Sequence, residues 1–204
     1  MPIKVALRLR GPSTSRSNRK VRLSKTTVRA AQISSGKLFD RVECFPPDRW
    51  RELEAFRPRI LVGHSSELLT FADHVKRCGV EFPSLDRAIF VATQYPYKPL
   101  NDVVRVVLWQ TFGVPIYEVY LSPEGVPLCY ECEAHDGWHA QDGIKMSMHH
   151  GELLLHTDRR RLHTGLTGEI LDKRCPCGRP GVRVVNVAER TPIRAWNHRL
   201  AATA

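Results

Sequence analysis

The sequence predicts an α/β fold: a parallel sheet with flanking helices, followed by a small β-rich subdomain held by a Cys/His cluster. Three observations predict it. Between residues 46 and 121 short apolar runs alternate with amphipathic stretches of helical period. After residue 121 the period shortens to strands and turns. Within that second region three cysteines and a histidine arrive as two short-range pairs.

Pro46–Phe56 has proline at its start and Trp50, Leu53 and Phe56 at three-residue spacing, so it reads as a short amphipathic helix. Arg59-Ile-Leu-Val-Gly63 is a short apolar run suited to a buried parallel strand. His64-Ser-Ser66 offers N-caps for a helix with Leu68, Leu69, Ala72 and Val75 on one face, ended by Gly79. A second buried strand follows at Arg87–Thr93, a second helix at Pro99–Phe112 ended by Gly113, and a third strand at Pro115–Leu121. Strands alternating with helices imply right-handed crossovers and a parallel sheet, whose ligands bind beyond the carboxyl ends of the strands. Those ends are Gly63–Ser66, Thr93–Pro96 and Leu121–Gly125. Val126–Glu133, Ile144–Met148, Glu152–Thr157 and Gly168–Asp172 are the strands expected afterwards. The expected division is an α/β unit over 1–121, a β-rich cap over 122–190 and a flexible tail over 191–204.

The chemistry of the cap lies in Cys132-x6-His139 and Cys175-Pro-Cys177-Gly. Three thiols and an imidazole match the Cys3His ligand set of a closed tetrahedral zinc site. Proline fixes the backbone between the last two sulfurs, and glycine lets the chain turn away behind them. The spacing is not that of a DNA-reading zinc finger, and six cysteines in 204 residues are too few for a secreted disulfide framework. The competing reading is separate buried cysteines and a surface histidine. Cys44, Cys78 and Cys129 read as core or surface thiols; Cys129 has the opposite strand parity to Cys132, so the two would face different ways.

Composition fits a globular protein: 42% hydrophobic and 25% charged residues. No apolar run suits a signal peptide or a membrane span, and a cytoplasmic location is expected. Of the net charge of +10, nearly all sits in residues 1–40, where ten Lys or Arg face Asp40 alone. Ile3–Arg10 alternates apolar and basic residues like a half-buried strand, Val21-Arg-Leu23 briefly repeats it, and a Ser/Thr/Arg loop lies between. Such a block suits nucleic acid, an acidic surface or a phosphorylated small molecule. Phe39 is its one aromatic residue, so platforms for stacking single-stranded bases are lacking.

Taken in order, these stretches resemble the middle portion of the phenylacetate–coenzyme A ligase family of adenylate-forming enzymes, and more closely its capsule-biosynthesis and coenzyme synthetase-like relatives. Ala6–Arg10 with its loop resembles the family's basic strand and loop. Phe56–Ser66 resembles its "P-x-hydrophobic-hydrophobic-x-G-x-P-S" stretch, and Phe112–Gly125 its "FG…YGxTEG" strand and turn. Glu131–His139 is similar to "E-C…G-L-H", Gly151–Thr157 to "GELVLT", and Leu166-Thr-Gly-Glu169 to "R-T-G-D". Arg174–Arg179 closes a match that runs from about residue 3 to residue 186. The family joins a carboxylic acid to ATP as an acyl-adenylate and usually passes the acyl group to coenzyme A. The resemblance implies Tyr120 against adenine, Ser122 in the nucleotide-binding turn, Glu124 holding Mg²⁺ at the ATP phosphates as the catalytic group, and Glu169 on the ribose hydroxyls.

The match also departs from the family. Its phosphate loop would lie before residue 1 and its swivelling domain with a catalytic lysine after residue 186. Pro123 stands where a phosphate-binding threonine is expected, Glu169 where an aspartate is, and Leu166 where an arginine is. The expectation is therefore a truncated adenylate-forming protein with a structural Zn²⁺ and a partial pocket for AMP, ATP or an acyl-CoA, not a complete ligase alone. If it turns over, acyl adenylation comes first and hydrolysis second. A partner chain or a homodimer would complete it. Two other readings stand beside this one. A metal-dependent hydrolase would use Ser65 or Ser66, or the histidines between 135 and 163; a nucleic-acid-binding zinc protein would use residues 1–40.

Overall fold

The computed structural model describes residues 28–36, 38–39, 42–96, 98–158 and 160–190. The basic strand and loop expected before residue 28 and the tail from 191 lie outside the described residues, and so does most of the 1–40 block on which the nucleic-acid reading rests.

One nine-stranded sheet forms the spine, and its first half is parallel. Strands β1 (Ala30–Ile33), β2 (Glu43–Phe45), β3 (Ile60–Gly63), β4 (Ala88–Gln94) and β5 (Ile116–Leu121) run in the order β2-β1-β3-β4-β5. Helices α1 (Trp50–Phe56), α2 (Ser65–Cys78) and α3 (Asp102–Phe112) accompany them. Because β3, β4 and β5 are laid down side by side, right-handed crossovers put α2 and α3 on the same face. Strand alternation divides the core accordingly. Leu61, Ile89, Val91 and Ile116 face the helices, packing with Leu68, Phe71, Ala72 and Leu108. Ile60, Val62, Ala92 and Val119 face the other way, with Phe39 and Val42. Both faces are apolar, as a parallel sheet requires.

The helix ends explain where the expected boundaries move. Pro46–Arg49 closes a turn (Arg49 N–H to Pro46 C=O, 3.0 Å) and α1 starts only at Trp50. Asn101 caps α3 by accepting from the Val103 N–H at 2.7 Å, so that helix starts at Asp102 rather than Pro99. At the head of α2 the cap position falls on His64 itself, whose N–H donates to the Glu67 carboxylate at 3.2 Å.

Beyond β5 the sheet continues antiparallel through β6 (Pro127–Glu131), β7 (Trp138–Ala140), β12 (Arg183–Glu189) and β11 (Leu166–Leu171), in the order β5-β6-β7-β12-β11. The main sheet thus runs unbroken across position 121. A separate three-stranded antiparallel sheet, β8 (Lys145–His149), β9 (Glu152–His156) and β10 (Arg161–His163), lies over this half. Leu153, Leu155 and Leu162 from it pack with Tyr120, Leu128, Trp138, Leu166 and Val184 of the main sheet. Strands β1, β2, β7, β10 and β12 were not among the expected elements; four of the five have only three or four residues, too short to show a period.

Candidate metal centre and strand-end site

Two tight turns deliver the metal ligands. After β6 the chain turns at Cys132, with the His135 N–H on the Cys132 carbonyl at 2.9 Å, and re-enters the sheet as β7 carrying His139. Gly137 in this loop has φ 89°, and a Cβ there would come within 2.3 Å of the Val184 carbonyl, so only glycine lets the loop lie flat on β12. The second turn is Cys175–Gly178, closed by the Gly178 N–H on the Cys175 carbonyl at 2.9 Å, with Gly178 at φ 81°.

The four expected ligand atoms converge, all lying within 4.8 Å of one another. Cys132 Sγ and Cys175 Sγ are 3.6 Å apart, as are Cys177 Sγ and His139 Nε2. Arms of about 2.3 Å to sulfur and about 2.05 Å to nitrogen at tetrahedral angles give edges of about 3.8 and about 3.6 Å. A disulfide would need about 2.05 Å. The donor set and its spacing therefore fit zinc. Cys129 stays outside the group and is fully buried.

Electrostatics around the cluster point the same way. Burial pushes the Cys132 thiol up to about 12, although the backbone N–H groups of Ala134 and Asp136 pull against it. Burial also opposes ionisation of Cys175, but hydrogen bonds from the Cys177 backbone and the neighbouring thiols leave it below the ordinary thiol range. Three thiols around one point ionise together only with a cation among them. Burial, then the Arg179 and Arg183 cations, hold the His139 imidazole below its usual range and so neutral, the ligating form. Beside the Cys175 turn a concavity of about 480 Å³ is lined by Asp172, Lys173, Arg174, Gly178, Pro180 and Gly181; it includes none of the strand-end residues.

The strand ends themselves are tied together. His64 Nδ1 lies 2.8 Å from the Ala92 carbonyl, Gln94 Nε2 donates to the Pro123 carbonyl at 2.7 Å, and the Tyr95 N–H donates to the Leu121 carbonyl at 2.9 Å. Ser122 is buried and its Oγ accepts from the N–H groups of Glu124 and Val126, both at 3.2 Å, while donating to Glu124 Oε2 at 2.9 Å. Glu124 is exposed and paired with Arg160, which, ahead of Ser122, holds its carboxyl below the usual range. Tyr120, expected against adenine, is 1% exposed; its ring stacks on Trp138 with centroids 5.1 Å apart. Its hydroxyl is buried without a hydrogen-bond partner. Glu169 is exposed on β11, the far edge strand, with β12, β7 and β6 between it and β5. Sequence order thus brings Ser122 and Glu124 together but leaves Tyr120 packed on Trp138 and Glu169 apart.

The features that favoured a hydrolase do not assemble. Neither Ser65 nor Ser66 hydrogen-bonds a histidine among the described residues. The histidines spread out: His135 on Glu131 at 2.9 Å, His156 on Ser147 at 2.7 Å, His163 on Glu152 at 3.2 Å, and His149 against His150. Among the described residues they form no second metal-ligand group. Sequence reasoning missed Arg160, Arg183 and Glu118. The first sits in a run of three arginines with no distinguishing signal. Arg183 opens β12 and carries no local signal either, whereas Glu118 is a charge placed inside the apolar strand β5, which was a readable sign.

No family model matches the sequence, and no curated protein matches it either. Solved structures do match. A 2-hydroxyisobutyryl-CoA ligase in complex with 2-HIB-AMP and CoA, in the thioesterification state, aligns over 80% of this chain and 43% of its own at a TM-score of 0.60 and 14% identity. An open conformation of the same ligase aligns over 78% and 44%, at 0.59 and 14%. Coronafacic acid ligase from Pectobacterium brasiliense aligns over 70% and 38%, at 0.52 and 13%. The fold is thus an α/β fold similar to part of the fold of these ligases. The chain spans about 44% of the length of the ligase it matches in its open form.

Proposed function

We propose that these residues form the nucleotide- and acyl-facing scaffold of a ligase-like protein, with one structural zinc pinning the antiparallel half of its sheet. The observation that carries this is the alignment of 80% of the chain with a ligase holding an acyl-AMP and CoA. In this reading Cys132, His139, Cys175 and Cys177 hold the ion; four protein ligands leave no position for water, so its role is architectural. Ser122 and Glu124 at the end of β5 form the phosphate and Mg²⁺ end of the small-molecule site, with Tyr120 packed on Trp138 behind them; Glu169, on the far edge strand, is not part of it.

The scaffold is incomplete as a catalyst. Charge on a transferring phosphate needs several donors and Mg²⁺ placed together. Here Pro123 offers neither hydroxyl nor N–H, and Glu124 already faces Arg160. Binding of AMP, ATP or an acyl-CoA is therefore the activity proposed for these residues, in a cytoplasmic setting. Adenylation would draw its remaining groups from outside these residues, for example from a partner chain or a second copy. No helix among the described residues is long and apolar enough to cross a membrane. Thermal unfolding with and without ATP, AMP and acyl-CoA tests the reading, since a ligand that binds only the native state must raise its apparent stability. A rise with a nucleotide or acyl-CoA supports the site; no rise with any of the three removes it.

A further inference from the structure

The geometry points to Arg183 as the built-in counter-cation and clamp of the metal centre. Arg183 stands on β12 in register with His139 on β7, so one ligand and this guanidinium are cross-strand neighbours. Its Nη1 donates to the Lys173 carbonyl at 2.6 Å and its Nη2 to Asp136 Oδ2 at 2.8 Å. Asp136 lies in the loop that joins Cys132 to His139, and Lys173 is two residues before Cys175. A single planar fork therefore ties together the two loops that carry all four ligands.

Charge gives the second half of the argument. Three thiolates, a neutral imidazole and a divalent ion carry a net charge of −1. Arg183 is only 6% exposed, and its Nε is buried without a hydrogen-bond partner. A buried guanidinium is placed at a cost unless an anion compensates it. Asp136 supplies part of that compensation but is itself 38% exposed on its side chain. The monoanionic metal centre beside it supplies the rest. Arg183 is thus a positioning residue: it orients the ligand loops and balances the loaded cluster without touching the ion.

This inference rests on the metal reading above, and the experiment separates the two. The full chain and its Arg183→Gln, Arg183→Lys and Asp136→Asn variants are loaded with Zn²⁺ and titrated against a chromophoric chelator. Each is also loaded with Co²⁺, and its thiolate charge-transfer and d–d absorption is recorded. Arg183→Gln is expected to weaken zinc binding by about 10–100-fold, the usual effect of losing such an outer partner, and to change the Co²⁺ spectrum. Arg183→Lys restores the charge without the fork and recovers part of the affinity. Asp136→Asn, which keeps shape and loses one charged acceptor, weakens binding less than Arg183→Gln does. A purely packing role would lower stability with metal and without it alike and leave the Co²⁺ spectrum unchanged. Unchanged affinity and spectrum in Arg183→Gln, or in Asp136→Asn if the arginine variants do not fold, overturns the inference. Failure of the unaltered chain to bind either metal overturns the metal reading, and the inference with it.

Discussion

Cys132 Sγ and Cys175 Sγ meet at 3.6 Å although 43 positions separate them in the chain. Between them run β7, the whole three-stranded sheet and β11, so one ion there would close a long loop of mostly short strands. The expected stoichiometry is one zinc per chain by elemental analysis. Cys175→Ala removes a ligand and leaves the other thiols buried around nothing. It should lose most of the zinc and lower the melting temperature by several degrees, with the loss mirrored by chelation of the unaltered protein. Retention of full metal content and stability by Cys175→Ala would place the ion elsewhere.

Glu118 is a second departure from ordinary surface chemistry. It sits inside β5 at 2% exposure, and its Oε1 accepts from the Leu100 N–H at 2.7 Å. Burial pushes its carboxyl up to about 7, against the Thr93 hydroxyl, the Leu100 N–H and Arg105 on α3, and with the help of Glu131 on β6. The folded protein therefore holds a proton there that the unfolded chain releases above its ordinary value of 4.5. Its stabilising effect is complete below pH about 4.5 and is lost as pH rises through about 7, a swing of about 3 kcal/mol. Urea unfolding at pH 5 and pH 8 should show that loss. Glu118→Gln, neutral at every pH and still an acceptor for Leu100, should flatten the profile and be the more stable form at pH 8. Equal slopes for both proteins would mean that Glu118 ionises normally.

The readable parts of this chain were those in which chemistry and period agree. Val62 and Val91 fall on opposite faces because adjacent strands bury both sides, and the apolar runs announce it. The two ligand pairs announce themselves by residue type, since proline and glycine around Cys177 serve no helix or strand. What stayed hidden depends on pairing at long range. Ala30–Ile33 becomes β1 only because β2 and β3 flank it, and Ala-Ala-Gln-Ile carries no period of its own. Arg183 reads as a charge at a strand edge until β12 comes to lie against β7. The packing of Tyr120 on Trp138 arises from β5 and β7 sharing a sheet face two strands apart, which no local pattern encodes.

Glu124 and Arg160 offer a test of the strand-end site that stability alone would not give. Both side chains are largely exposed, so breaking their pair should leave the melting temperature close to that of the unaltered protein. Ligand response should differ. Arg160→Ala frees the carboxylate, whose pKa returns toward the ordinary range, and makes it available to Mg²⁺. The thermal shift produced by ATP with Mg²⁺ should grow in Arg160→Ala and vanish in Glu124→Ala. Equal shifts in both variants would show that nucleotide, if bound, does not engage this turn.

Val103, Val106 and Trp109 leave an apolar stripe along one side of α3, at 68%, 48% and 58% exposure. If the chain pairs with a second copy, as the proposed function allows, this stripe is where the copy would pack. Light scattering coupled to size exclusion should then give more than the mass of one chain, rising with loading concentration. Val106→Glu places a charge in the middle of the stripe and should return the protein to a single chain. Its unfolding free energy should stay within about 0.5 kcal/mol when the comparison is made at dilutions where both proteins are monomeric, because an exposed position makes little contribution to the fold. A monomeric mass for the unaltered protein at all concentrations would rule out self-association through α3. A mass that stays high in Val106→Glu would move the contact to another face.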